Sequence, residues 1–134
     1  MRKHNLAFID LETTGLDVID HEIIEIGCVI TDPQLKVIEE FVLKIKPEHL
    51  EYADPVAKKI NHYDEELWID AYKLKDALKI FAEKVKDTIM VGQNVSFDVS
   101  FLETAFSKCK MKNPMHYHRL DTISIAWAKF HDDI

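Results

Sequence analysis

Hydrophobic and polar positions along this chain follow two periods, and the switches between them outline its elements. Leu6-Ala7-Phe8-Ile9 is an apolar run that reaches Asp10-Leu11-Glu12 and predicts a buried strand, closed by a Thr13-Thr14-Gly15 turn. Asp17 to Glu22 is polar and reads as a loop. Ile23 to Thr31 is rich in β-branched residues and predicts a second strand. Asp32-Pro33-Gln34 is a turn with Pro33 set for its second position, and Val37 to Ile45 follows as a third strand. Connections this short leave no room for helical crossovers, so the three strands form an antiparallel meander.

The period then changes. Asp54-Pro55 marks a helix start with proline in the first turn, with Val56, Ala57 and Ile60 as an apolar stripe, and Asn61-His62-Tyr63 breaks it. Trp68 to Lys86 carries Tyr72, Leu74, Ala77, Leu78, Phe81, Ala82 and Val85 near a 3.6-residue period and predicts a long helix. Thr88 to Asn94 reads as a short buried strand. Ser96 to Lys108 is a helix with Phe97, Phe101, Leu102, Ala105 and Phe106 on its core face. His116 to Leu120 is a candidate fifth strand, and Asp121-Thr122 opens a last helix through Phe130. The order βββ–α–β–α–β–α describes an α/β domain, a mixed sheet flanked by helices, over residues 1–134 without repeats or linkers.

Composition narrows the function. An apolar fraction of 47% and a charged fraction of 31% are those of a soluble globular protein. No run is long enough to span a membrane and none resembles a signal peptide, so a cytoplasmic protein is expected. Cys28 and Cys109 have no metal-site spacing and read as reduced thiols. The formal net charge of −7 argues against a broad basic surface for gripping duplexes. It leaves open a protein that handles a few terminal nucleotides through bound cations, which reverse the local field.

The candidate chemistry is acidic. Residues i and i+2 of a strand share a face, so Asp10 and Glu12 project side by side at the end of the first strand. Adjacent carboxylates repel unless a cation lies between them, and oxygen ligands suit Mg²⁺ or Mn²⁺. Asp98 falls in the first turn of a helix entered directly from a strand, a junction where α/β proteins gather their sites. Alone it is an ordinary helix-start acid favoured by the dipole; beside the other two it makes a third carboxylate at one sheet edge.

These residues resemble a known family. Phe8-Ile9-Asp10-Leu11-Glu12-Thr13-Thr14-Gly15-Leu16 is similar to the first motif of the DnaQ-like (DEDD) 3′–5′ exonucleases, the group that includes proofreading subunits of bacterial DNA polymerase III, RNase T and oligoribonuclease. Gly92-Gln93-Asn94-Val95-Ser96-Phe97-Asp98 resembles its second motif. The resemblance implies a ribonuclease H-like fold with a five-stranded sheet. It also implies metal-dependent release of nucleoside monophosphates from single-stranded DNA or short RNA 3′ ends by two-metal-ion hydrolysis. Asp10, Glu12 and Asp98 would be the catalytic metal ligands, holding two ions in the family and a single ion as the reduced alternative here. Thr13, Thr14 and Leu16 would hold the terminal nucleotide, with Asn94 and Phe97 supporting the second motif. A DNA polymerase subunit is an implied partner, and an oligomer is compatible.

The pattern breaks at the C-terminus. The family has a fourth carboxylate five residues after a general-base histidine on a last helix. His116 and Asp121 have that spacing but fall on a strand, where i and i+5 face opposite sides; Asp121 reads instead as a helix cap. His131-Asp132-Asp133 has the residue types at the wrong spacing, and His4, His21, His49 and His62 show no ligand pattern. The expectation is a C-terminally incomplete domain lacking the third motif. The alternative function is a weakly active or inactive module that binds metal, nucleic acid or a polymerase without efficient cleavage.

Overall fold

A computed structural model describes residues 3–133. The three predicted meander strands form as β1 (Leu6–Thr13), β2 (Ile23–Thr31) and β3 (Val37–Lys44), each antiparallel to its neighbour. β4 (Ile89–Gly92) lies parallel to β1, and β5 (Arg119–Asp121) parallel to β4, giving the order β3-β2-β1-β4-β5. All four residues of β4 are buried, as expected of a strand flanked on both sides in a parallel layer.

Alternation along β1 sorts its side chains. Ala7, Ile9 and Leu11 enter the core with Ile26, Cys28 and Ile30 of β2, while Phe8, Asp10 and Glu12 take the other face. Two helices cover the core face. α2 (Leu74–Lys84) contributes Ala77, Leu78 and Phe81, and α3 (Val95–Lys108) contributes Phe101, Leu102, Ala105 and Phe106. Phe81 meets Phe41 edge-on at 6.4 Å between ring centroids and Phe106 at 6.2 Å. Burial lifts the Cys28 thiol to about 12, consistent with an inert core side chain.

Several boundaries differ from the sequence pattern. The long helix starts at Leu74 rather than Trp68, because Trp68 is used elsewhere. Its ring is 4% exposed and its Nε1–H donates to the Ile24 carbonyl at 2.9 Å, with Lys44 over its face. Ile24 is the extra residue of an irregularity in β2, where Glu12 pairs with Glu25 but Thr13 pairs with Ile23. The Trp68 indole therefore shares the Ile24 carbonyl with Ile45 N–H, which donates to it at 2.8 Å. The short helix α1 (Pro55–Ile60) does begin at Asp54, whose side chain accepts from Val56 N–H at 2.9 Å. Its expected apolar stripe is not buried, however: Val56 and Ile60 are 63% and 68% exposed.

The fifth strand starts at Arg119 instead of His116 and ends at Asp121. Asp121 accepts from Ile123 N–H at 2.9 Å and so caps α4 (Thr122–Phe130), as its helix-start position predicts. α4 buries none of its residues; Ile123, Ile125, Trp127 and Phe130 are all exposed. Among the described residues no helix is long and apolar enough to cross a membrane.

Candidate active site

Strand geometry delivers the first two acids. Asp10 and Glu12 leave the same face of β1 near its C-terminal end, opposite Gly27 and Glu25 of β2. Gly27 has no side chain, so the space over Asp10 stays open. Asp10 lines a groove of about 740 Å³ on the uncovered sheet face, with Phe8, Val29, Val42, Val91, Gln93 and Thr122 around it.

The third acid arrives through a turn. Asn94 adopts a left-handed conformation, φ 55°, which asparagine tolerates better than most residues, and this redirects the chain from β4 into α3. Asp98 then lies in the first turn of α3, only 5% exposed, with its carboxylate turned back toward β4. A Cβ on Gly92 would stand 3.6 Å from that carboxylate and 3.4 Å from the Ile9 carbonyl, ordinary contact distances that place the Asp98 carboxylate against the end of β4 and beside β1. Phe97 packs against Phe101 with ring centroids 4.9 Å apart and a 45° tilt, and so braces the same turn.

The three carboxylates lie near enough to act on one another electrostatically. Burial, then the charges of Asp10 and Glu12, push the Asp98 carboxyl up to about 7, and no influence lowers it. Glu12 is raised as well, first by burial, then by Asp10 and by Glu25 across the strand pair, with the imidazole of His62 acting against them. Among the described residues no group of three or more His, Cys, Asp or Glu side chains is closed into a ready metal cage. The acids are coupled through their fields without meeting at one point. Their chemistry nevertheless fits a hard divalent cation: oxygen donors only, one of them desolvated and held part-neutral for want of a counter-charge.

The strap after Glu12 is built differently from the expectation that its side chains face a ligand. Thr13 Oγ1–H donates to the Gly15 carbonyl at 2.7 Å, and Thr14 Oγ1 accepts from Glu22 N–H at 2.9 Å. Both hydroxyls are thus committed inside the fold, and Thr13 and Thr14 are 7% and 1% exposed. Leu16, at 82% exposure, is the side chain the strap presents to solvent. Gly15 packs against the His21 imidazole so closely that a Cβ there would clash with the ring, and His21 Nδ1 accepts from Asp17 N–H at 2.9 Å.

Asp121 and His116 are not brought together as an acid–base pair. One Asp121 oxygen caps α4, and the other accepts from Val95 N–H at 3.0 Å, capping α3 from across the sheet. These backbone donors hold its carboxyl below the ordinary value. His116 packs among His4, Tyr117 and His118. Three site neighbours escaped the sequence pattern: Glu25, Asn61 and His62. Glu25 is legible once the register of β1 on β2 is known, whereas Asn61 and His62 lie at a helix end that carries no periodic signal.

A mixed sheet with order 3-2-1-4-5 and carboxylates at the ends of its central strands defines a ribonuclease H-like nuclease domain. The family comparison agrees: the model described as Exonuclease (RNase_T) matches residues 7–133, and the chain belongs to this exonuclease family. It is 35% identical over 121 residues to the DNA polymerase III subunit epsilon of Treponema pallidum (strain Nichols), a match covering 90% of this chain and 54% of that protein. It is 31% identical over 126 residues to the PolC-type DNA polymerase III of Caldanaerobacter subterraneus subsp. tengcongensis, covering 92% of this chain and 8% of that one. The chain thus spans about half the epsilon subunit and a small part of the polymerase. Among solved structures, apo Exonuclease I superposes with a TM-score of 0.82 at 20% identity over 98% of this chain and 32% of that one, which establishes the shared fold.

Proposed function

We propose that this chain is a divalent-metal-dependent 3′–5′ exonuclease domain that removes nucleoside monophosphates from single-stranded ends. The observation that carries the reading is three carboxylates at the ends of β1 and β4, Asp10 and Glu12 on one strand face and the buried Asp98 turned toward Gly92, where burial and then the two other acids push it up to about 7. Asp10, Glu12 and Asp98 would hold Mg²⁺ or Mn²⁺. When bound, such ions stabilise charge on phosphodiester oxygens and lower the pKa of water to near neutrality.

The chain's own residues do the positioning. The left-handed Asn94 sets the angle of α3, so Asp98 is held against Gly92 beside β1. Phe97, packed on Phe101, keeps that turn from fraying. The Thr13 and Thr14 hydroxyls rigidify the strap, leaving the exposed Leu16 to receive a terminal nucleotide. A polymerase partner is part of the proposal, supported by likeness to an epsilon subunit, as is a cytoplasmic setting. Single-stranded DNA as a ligand is supported by a fold relative, E. coli Exonuclease I, solved in complex with a dT13 oligonucleotide.

The test is a 5′-labelled single-stranded oligonucleotide incubated with the protein and Mn²⁺, beside Asp10→Ala. A ladder of 3′-shortened products that needs both metal and Asp10 is expected. A folded wild-type chain that leaves the oligonucleotide intact in Mg²⁺ and in Mn²⁺ refutes the proposal.

A further inference from the structure

The short helix α1 lies along the strap at both of its ends. At its start, Asp54 N–H donates to the Thr14 carbonyl at 2.7 Å. At its finish, the Asn61 side-chain amide donates to the Thr13 carbonyl at 2.6 Å, across 48 residues of sequence. The next residue, His62, is therefore placed beside the end of β1, one residue beyond Glu12. Its backbone is left-handed, φ 54°, a conformation that L side chains adopt at a cost and glycine adopts freely. His62 is exposed, and its left-handed backbone closes the end of α1, where Tyr63 N–H donates to the Lys58 carbonyl at 3.0 Å. The same helix carries Lys58 and Lys59, and among the described residues neither forms a salt bridge.

A polyanionic strand approaching three carboxylates needs hydrogen-bond donors on the facing wall as well as cations between the acids. We infer that His62 is a substrate-contacting residue, its imidazole donating to a phosphate of the strand whose terminal nucleotide lies on the Thr13–Leu16 strap. This rests on the exonuclease reading for the identity of the strand. The influence of the imidazole on Glu12 agrees with the placement, since it is the one group that holds that carboxyl down.

The left-handed backbone supplies the test. In His62→Gly the conformational cost disappears, so the melting temperature is expected to rise by about 4 °C. The same variant is expected to raise KM for a single-stranded oligonucleotide about tenfold with kcat little changed, the loss of one charge-assisted hydrogen bond. His62→Asn keeps both tolerance of the left-handed region and a side-chain donor, and is expected to stay within about threefold of wild type. Binding of a fluorescein-labelled oligothymidylate in Ca²⁺, read by anisotropy, reports the contact independently of turnover. A His62→Gly chain that is more stable but has unchanged KM and unchanged affinity overturns the inference alone. So does a His62→Gly chain less stable than wild type, because the ring would then be packing rather than contacting substrate. A wild-type chain that neither cuts nor binds the oligonucleotide overturns it together with the exonuclease reading.

Discussion

Replacing Asp98 with asparagine separates the cost of the site from its use. The amide has the shape of the carboxyl but no charge at any pH. In the wild-type chain the carboxyl titrates at about 7 instead of the ordinary 3.8. At 1.36 kcal/mol per pH unit that displacement bounds the penalty of ionising the folded site at about 4 kcal/mol. The sign follows from which state binds the proton. Below about pH 4 the group is protonated in both folded and unfolded chains and costs nothing. As pH rises past 3.8 the unfolded chain ionises first, and stability falls until about pH 7, where the penalty levels off. In EDTA at pH 8, Asp98→Asn is therefore expected to be more stable than wild type by about 2–4 kcal/mol, or roughly 8–15 °C in melting temperature. The difference should shrink toward zero near pH 4. With Mn²⁺ the order reverses: wild type gains stability from the cation, while the variant gains little and loses nuclease activity. Thermal melts from pH 4 to 9, with EDTA and with Mn²⁺, measure all of this. An Asp98→Asn chain no more stable than wild type in EDTA at pH 8, or a gain that persists unchanged at pH 4, refutes the reasoning.

Three further outcomes follow from individual contacts. Gly15→Ala drives a methyl into the His21 ring and is expected to cost about 1–3 kcal/mol in urea unfolding. Combining it with His21→Ala should recover much of that loss, giving a coupling of about 1 kcal/mol or more in a double-mutant cycle. Trp68→Phe keeps the apolar bulk and leaves the Ile24 carbonyl with Ile45 N–H as its one donor, a loss of about 0.5–1.5 kcal/mol by the same assay. Glu25→Gln removes the like charge opposite Glu12 and should stabilise the metal-free chain by about 0.5 kcal/mol, visible as a higher melting temperature in EDTA.

The sequence by itself determined the strands, the helices and the three carboxylates. Strand alternation needs no tertiary information, so the shared face of Asp10 and Glu12 was readable from their spacing, as was the Asp54–Pro55 helix start. The motif resemblance added the ribonuclease H-like fold and the expected ligand roles of the three acids. Tertiary structure decided the rest, because side-chain hydrogen bonds between distant segments leave no periodic trace. Trp68 satisfied a helical period yet was taken out of the helix by a carbonyl 44 residues away. Asp121 read as the cap of one helix and serves two, since only the parallel pairing of β5 on β4 brings it to Val95 N–H. The hydroxyls of Thr13 and Thr14 turn inward because Gly15 and Glu22 are folded against them. Asn61 and His62 had no pattern to announce them. A helix one and a half turns long, tied at both ends to the strap, sets them beside Glu12, and that placement exists only once the chain has closed.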